Sequence, residues 1–217
     1  GYTTGTCAAL AASGAVQRLL TGVWPETVSL RTPKGLTVEV PLEHCRMQGD
    51  TAQCSVRKDG GDDVDKTTGA LIQANVSLSD TPGVRIRGGQ GVGRVTKPGL
   101  DQPVGEAAIN RVPRQMIREA VEAACRTADY DGGAEVTISV PEGEAIAQKT
   151  FNPQIGIVGG ISILGTSGIV EPMSMQAMID TMALELRQAA AQGHKRLILT
   201  PGNYGQDFLT RHGLDGL

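Results

Sequence analysis

The cations Arg85, Arg87, Arg94, Lys97, Arg111, Arg114 and Arg118 fall in one stretch that holds few acids. Guanidinium forks match carboxylates two hydrogen bonds at a time, so a basic segment in an otherwise acidic chain points to a polyanionic ligand. A solvated basic face has the same composition. A second concentration of charge is KDGGDDVD at 58–65, where Asp62, Asp63 and Asp65 follow two glycines. Paired carboxylates beside flexible glycines suit contact with a substrate or a cation. A solvated turn fits as well, and the spacing is not that of a calcium loop. The third stretch is IGIVGGISILGTSGIVEPMSM at 155–175. Its β-branched residues read as a buried strand. Gly159, Gly160, Gly165 and Gly168 then let a loop bring its backbone close to a ligand, with hydroxyls from Thr166 and Ser167 and a charge from Glu171. At the start of the chain, GYTTGTCAALAA offers Thr3, Thr4 or Thr6 as a helix cap. The same N-terminus serves as a plain cap or as an anion site.

Several chemistries fit poorly. The loop GGQGVGRVTKPGL at 88–100 looks like a phosphate loop, but Arg94 and Val95 stand where Lys and Ser/Thr belong. A nucleotide-dependent transferase is therefore the weaker enzyme reading. Cys7, Cys45, Cys54 and Cys125 show no C-x-x-C spacing, and His44, His194 and His212 form no H-x-x-x-H pattern, so no protein-bound metal is expected. The thiols read as free, in a reducing cytoplasm. A net charge of −3 gives no global attraction for nucleic acid or an anionic membrane. No run is apolar and long enough to span a bilayer. The oligomeric state stays open, with a homo-oligomer among the arrangements the chain allows.

The elements that must position these residues follow from periodicity and punctuation. A capped helix runs from the first threonines to Gly22. Strands at 27–32 and 36–40 flank the turn Pro33-Lys34-Gly35. A strand covers 54–57, and strands at 70–79 and 84–87 are joined by Asp80-Thr81-Pro82-Gly83. Pro113 opens a helix to about 128 at its first position. A strand follows at 134–140. The apolar run at 155–163, a helix from about 174 to 192 and a strand at 196–200 make a βαβ unit, with PGNYG at 201–205 as a second glycine loop on the same sheet edge. The expected fold is an α+β N-terminal domain over 1–152, then the start of an α/β domain with a parallel sheet over 153–217. The abrupt start at Gly1, and the stop at Leu217 just after a helix begins, read as marks of a fragment.

Taken together, GYTTGTCAA, KDGGDD, GGQGVGRVTKPGL, VGEAAIN at 104–110, GGISILGTSGIVEPMS and TPGNYG at 200–205 resemble one family, the cobalt-precorrin-5B carbon-1 methyltransferases (CbiD) of anaerobic cobalamin synthesis. The segments occur in the family order across the whole chain. The resemblance implies methyl transfer from S-adenosylmethionine to carbon 1 of a cobalt-containing tetrapyrrole, giving cobalt-precorrin-6A, the cobalt entering with the substrate. Donor contacts are expected at Gly159, Gly160, Gly165, Thr166, Ser167, Gly168, Glu171, Thr200, Gly202, Asn203, Tyr204 and Gly205. Substrate contacts are expected at Thr4, Thr6, Arg87, Arg94, Lys97 and Arg111, with substrate carboxylates on Arg87, Arg94 and Lys97. Asp62 and Asp63 would touch the macrocycle or the proton that shifts after methylation. The usual Rossmann fingerprint is absent, so the donor is placed by geometry rather than by motif. A corrinoid-binding or channelling module without catalysis is the competing class.

Overall fold

The computed structural model describes residues 1–63, 65–172, 175–198 and 202–213. Helix α1 (Thr4–Thr21) begins where the Thr3 hydroxyl accepts the Thr6 N–H, and ends at Gly22 in the left-handed region. Every residue of α1 from Thr4 to Val16 is buried. A helix enclosed on all sides must be narrow. Its glycines show how closely it is packed: a Cβ on Gly5 would strike Pro113, and one on Gly14 would strike Leu42. A hairpin follows, β1 (Thr27–Arg31) with β2 (Thr37–Pro41), around the expected turn.

The chain then runs through β3 (Glu43–Gln48), β4 (Thr51–Arg57), β5 (Leu71–Ser79), β6 (Gly83–Gly88), β7 (Gly91–Val92) and β8 (Arg94–Val95). Helix α2 (Arg111–Thr127), strand β9 (Gly133–Ser139), helices α3 (Gly143–Ala147) and α4 (Asn152–Ile155), and the short strands β10 (Ile157–Val158) and β11 (Gly160–Ile161) come next. The described chain closes with α5 (Met175–Ala191) and α6 (Gly202–Arg211).

Strands β3-β4-β5-β9-β6 form one sheet, antiparallel except for β6 beside β9. Alternation gives this sheet two unlike faces. Ala52, Cys54, Val56, Ile72, Ala74, Val76, Ala134, Val136 and Ile138 are buried in the core shared with α1 and α2. The other face is polar. The turn at 80–83 does join β5 to β6, but β9 lies between them. Gly133 admits it, because a Cβ there would strike the carbonyls of Thr81 and Gly83. Tyr130 closes the gap by donating its hydroxyl to the Ser79 carbonyl, 2.9 Å away.

The fold is α+β, with corrections near its end. The apolar run at 155–163 is not a continuous strand. Gly156 and Gly159 take positive φ and break it into β10, β11 and a single bridge at Ile163. Residues 196–198 carry no strand, and 199–201 lie outside the described residues, so the βαβ unit expected over 155–200 does not form among the described residues; the parallel neighbours β6 and β9, with α2 between them in the chain, make one instead. Gly202 to Gly205 belong to the first turn of α6 rather than to a loop. Pro113 sits third in α2, not first, still within the turn whose N–H groups have no partner inside the helix. Gly1–Lys97 with Asp101–Ser174 form one compact unit, and Pro98–Leu100 with Met175–Leu217 a second. The boundary expected at 152/153 therefore falls later, and the stretch after 153 completes the first unit.

Candidate functional site

Strands β4, β9 and β6 all end on one edge of the sheet, as their pairings near Arg57, Ser139 and Gly88 require. Loops leaving the carboxyl ends of strands form the usual ligand crevice of open sheets. At this edge the first residues of the chain bind two of the loops. The Tyr2 hydroxyl donates to the Arg57 carbonyl (2.9 Å) and the Tyr2 N–H to the Asp59 carbonyl (2.9 Å). One residue later, the Thr3 N–H donates to the Gly168 carbonyl (3.1 Å). Adjacent residues thus hold the acid-rich loop on one side and the glycine loop on the other.

The start of α1 tightens the second contact. The Thr6 hydroxyl donates to the Gly168 carbonyl at 2.7 Å. The Thr4 hydroxyl accepts the Leu164 N–H at 2.9 Å and lies 3.3 Å from the carbonyls of Ser162 and Leu164. Both threonines are buried. They were expected at the substrate, and the structure spends them on backbone instead. A Cβ on Gly165 would strike the Thr3 side chain, and one on Gly168 would meet Thr32. Glu171, expected at the donor, is ion-paired with Lys34. The carbonyls of Leu164, Ser167 and Gly168 are all taken. Among the described residues, the N–H groups of Gly165, Thr166, Ser167 and Gly168 have no partner. Replacing the cap, Thr3→Ala, is expected to lower stability by about 1 kcal/mol in urea unfolding, with Thr3→Ser recovering most of it.

The same strip continues upstream. β10 pairs with β8 and β11 with β7, while Ile163 bridges Ile109. The sequences GGQGVG, VGEAAIN and GGISILGTSG therefore lie side by side. The loop at 88–94 is no phosphate cradle. The Gly89, Val92 and Gly93 N–H groups donate to Ile138, Gly89 and Ile161 carbonyls, and Gly91 and Gly93 are buried. Gly159 is an exposed bend, whereas Gly160 is buried so tightly that a Cβ would strike the Gly91 carbonyl.

The basic segment does not gather into one site. Arg85 and Arg87 share Glu135 on the polar face of the sheet. Arg94 is exposed and donates to the Gly105 carbonyl, and Lys97 reaches the Gln154 carbonyl at 3.1 Å. Arg111 is exposed at the start of α2, its backbone N–H held by Asp101 at 2.6 Å. Arg114 is a clamp, donating to the Ile109 and Ile86 carbonyls; burial and the nearby Arg118 lower its pKa, and Glu106 opposes them. Asp62 is exposed and Asp63 half-buried at the tip of the acid-rich loop, where Asp59 turns the chain by accepting the Gly61 N–H. Thr200 lies outside the described residues. Gly202, Asn203, Tyr204 and Gly205 lie in the second unit.

Sequence reasoning missed the charge pair that supports the acid-rich loop. Lys58 is 3% exposed and reaches Asp65 at 2.5 Å. Asp65 also accepts the N–H and hydroxyl of Thr67, each at 2.8 Å. Burial pushes the Asp65 pKa up, but the Lys58 and Thr67 hydrogen bonds outweigh it and leave the carboxyl below its usual range. A lysine next to two glycines and a run of acids was the available signal. Burial pushes the Cys7 thiol up despite Lys58, so Cys7 is not a thiolate nucleophile. Burial, with Cys7 and Asp59 nearby, pushes Tyr2 up to about 12 and keeps its hydroxyl a donor.

Residues 1–172 match the CbiD family model. A Geobacillus kaustophilus protein named cobalt-precorrin-5B C(1)-methyltransferase is 51% identical over 208 residues, 96% of this chain and 56% of that protein. A Thermoanaerobacter protein of the same name is 48% identical over 215 residues, 99% of this chain and 58% of that protein. The crystal structure of cobalamin biosynthesis protein CbiD from Archaeoglobus fulgidus superposes with a TM-score of 0.60 at 36% identity, covering 85% of this chain and 58% of that one. The chain spans a little over half the length of the relatives it matches.

Proposed function

The chain belongs to the CbiD family, and from that membership we propose that it serves the S-adenosylmethionine-dependent methylation of carbon 1 of cobalt-precorrin-5B. The observation that carries the reading is identity of about half with proteins of that name over nearly the whole chain. Methyl transfer from a sulfonium asks little of the protein chemically. The donor supplies an activated methyl group, and an electron-rich conjugated ring supplies the nucleophilic carbon. What remains is orientation, for which effective molarities can reach on the order of 10⁵ M.

The residues at the sheet edge fit that task. The donor's carboxylate needs clustered N–H groups, and those at 165–168 have no partner among the described residues, while the Ser167 and Gly168 carbonyls accept from Lys34, Thr3 and Thr6. Thr166 adds a hydroxyl beside them, whereas the Ser167 hydroxyl donates to the Ile169 carbonyl at 2.9 Å and accepts the Ile169 N–H. Asp62 and Asp63 stand on the neighbouring loop, where they can meet the macrocycle or take the proton displaced after methylation. Cobalt arrives inside the substrate.

Calorimetric titration of S-adenosylhomocysteine into this chain is expected to show one site. Addition of donor and cobalt-precorrin-5B to the protein should raise the tetrapyrrole mass by one methyl group. Absence of donor binding, with tetrapyrrole present, would overturn the methyltransferase reading. Binding of the tetrapyrrole alone would favour a corrinoid carrier.

A further inference from the structure

The five-stranded sheet presents a polar face on the side away from α1 and α2. The registers bring Gln53, Asn75, Thr137 and Arg87 into one row across β4, β5, β9 and β6. The next row, Ser55, Gln73 and Ser139, lies closer to the edge where the motif loops leave. Arg46 extends the first row from β3 and holds Gln53 at 2.9 Å. A mainly antiparallel sheet commonly keeps one face on the core and leaves the other polar. Here α1 and α2 pack on the opposite face.

The charge is unbalanced. Among the described residues, Arg46, Arg85 and Arg87 have one carboxylate among them, Glu135, which both Arg85 and Arg87 contact. The Arg85 and Arg87 side chains are 50% and 68% exposed. Between these arginines, the Asn75 amide and Thr137 hydroxyl are half-buried, and they have no side-chain partner among the described residues. The row spans four strands at roughly 5 Å spacing and so stretches over about 15 Å. That is the scale of a tetrapyrrole with its peripheral acids.

We infer that this face is the platform for the substrate, a planar polycarboxylate whose acetate and propionate groups are held by Arg46 and Arg87 while Asn75 and Thr137 lie under the ring. The inference rests on the tetrapyrrole reading above. It relocates the substrate contacts from Arg94, Lys97 and Arg111, whose elements lie off this face, to the exposed arginines of a face on which Gln53, Ser55 and Ser139 are themselves buried. The ring's leading edge then faces the loops at 58–65 and 88–93. Charge pairing of this kind makes affinity strongly salt-dependent.

The test uses cobyrinic acid, a stable cobalt corrinoid with free carboxylates, titrated into this chain beside S-adenosylhomocysteine. Arg87→Glu and Arg46→Glu each change an exposed side chain, so both variants should keep the wild-type circular dichroism. Each is expected to weaken cobyrinic acid binding at least tenfold and leave S-adenosylhomocysteine binding within twofold. In the wild type, phenylglyoxal modification of Arg87 should slow when cobyrinic acid is present. Unchanged corrinoid affinity in both variants overturns the inference and leaves the methyltransferase reading standing. Donor binding without any corrinoid binding by the wild type also overturns it. A chain that binds neither ligand removes the function and the inference together. If Arg87→Glu turns a sedimenting dimer into a monomer with corrinoid affinity intact, the face is a subunit interface and the inference fails.

Discussion

Replacing Lys58 by methionine is expected to destabilise the chain by about 3 kcal/mol, since breaking a buried ion pair leaves the other charge uncompensated. Asp65 has nowhere to go. Its side chain is 24% exposed and pinned by Thr67 on the far side. Asp65→Asn should cost a comparable amount by stranding a buried ammonium. The double replacement Lys58→Met/Asp65→Asn should recover much of both losses, because a neutral pair carries no desolvation debt. The pH dependence has a fixed sign. The folded-state pKa of Asp65 is depressed, so its contribution is present above the ordinary carboxylate range, near pH 4. It is lost as pH falls through the lower folded value. Urea unfolding from pH 7 downward should therefore show an acid loss in the wild type that is shallower in Lys58→Met. Additive single losses would mean that the two groups do not stabilise one another. The functional consequence follows from position. Lys58 and Asp59 are consecutive, and the Asp59 carbonyl holds the Tyr2 N–H. Loosening the pair should release the acid-rich loop, weakening tetrapyrrole binding even where the chain remains folded.

How much of this was legible depended on whether side chains or backbone carried the signal. β5 alternates Ile72, Ala74 and Val76 inward, and α1 announces both of its caps, so these elements could be read directly. β3 could not. His44 takes a positive φ at a bulge, which breaks the two-residue alternation that a strand reading needs. The insertion of β9 between β5 and β6 is a fact of long-range pairing, and the turn at 80–83 looks the same with or without it. The run at 155–163 misled for a different reason. Its residues are apolar and β-branched, but each short piece pairs with a different partner: β8, β7, then Ile109.

The candidate site shows the same division. The acid-rich loop and the glycine loop were recognisable as loops that approach something. What they approach is the start of the chain, through bonds such as Tyr2 to Arg57 and Thr6 to Gly168, spanning 55 and 162 positions. Carbonyl acceptors leave no mark on residue type, so the sequence offered the threonines as ligand contacts. The arginines were misgrouped because closeness in sequence is not closeness in space. Arg87 points away from the core on β6, while Arg114 turns inward to carbonyls.

Gly91→Ala should be among the most damaging single substitutions in the chain, costing about 3 kcal/mol or more. Two effects combine. Gly91 holds φ at 69°, which strains any other residue by roughly 1–3 kcal/mol. Its added Cβ would also land on the Val140 carbonyl and lie 3.1 Å from Gly143 Cα, and such overpacking adds roughly 1–3 kcal/mol. Neither neighbour can give way, because Gly143 and Gly160 both press on the Gly91 carbonyl from their own sides. Three backbones meet there without side chains between them. Gly105→Ala is the control. It has a φ of 92° but open space around its Cβ, so it should show the conformational strain alone. Thermal unfolding of the two variants separates the effects, and equal, small losses would mean that the Gly91 contact relaxes. A larger loss at Gly91 carries a consequence for ligand binding. β7 holds β11 in register, and β11 leads directly into the loop at 165–168. At a temperature where Gly91→Ala is still folded, S-adenosylhomocysteine affinity should fall, while Gly105→Ala should bind as the wild type does.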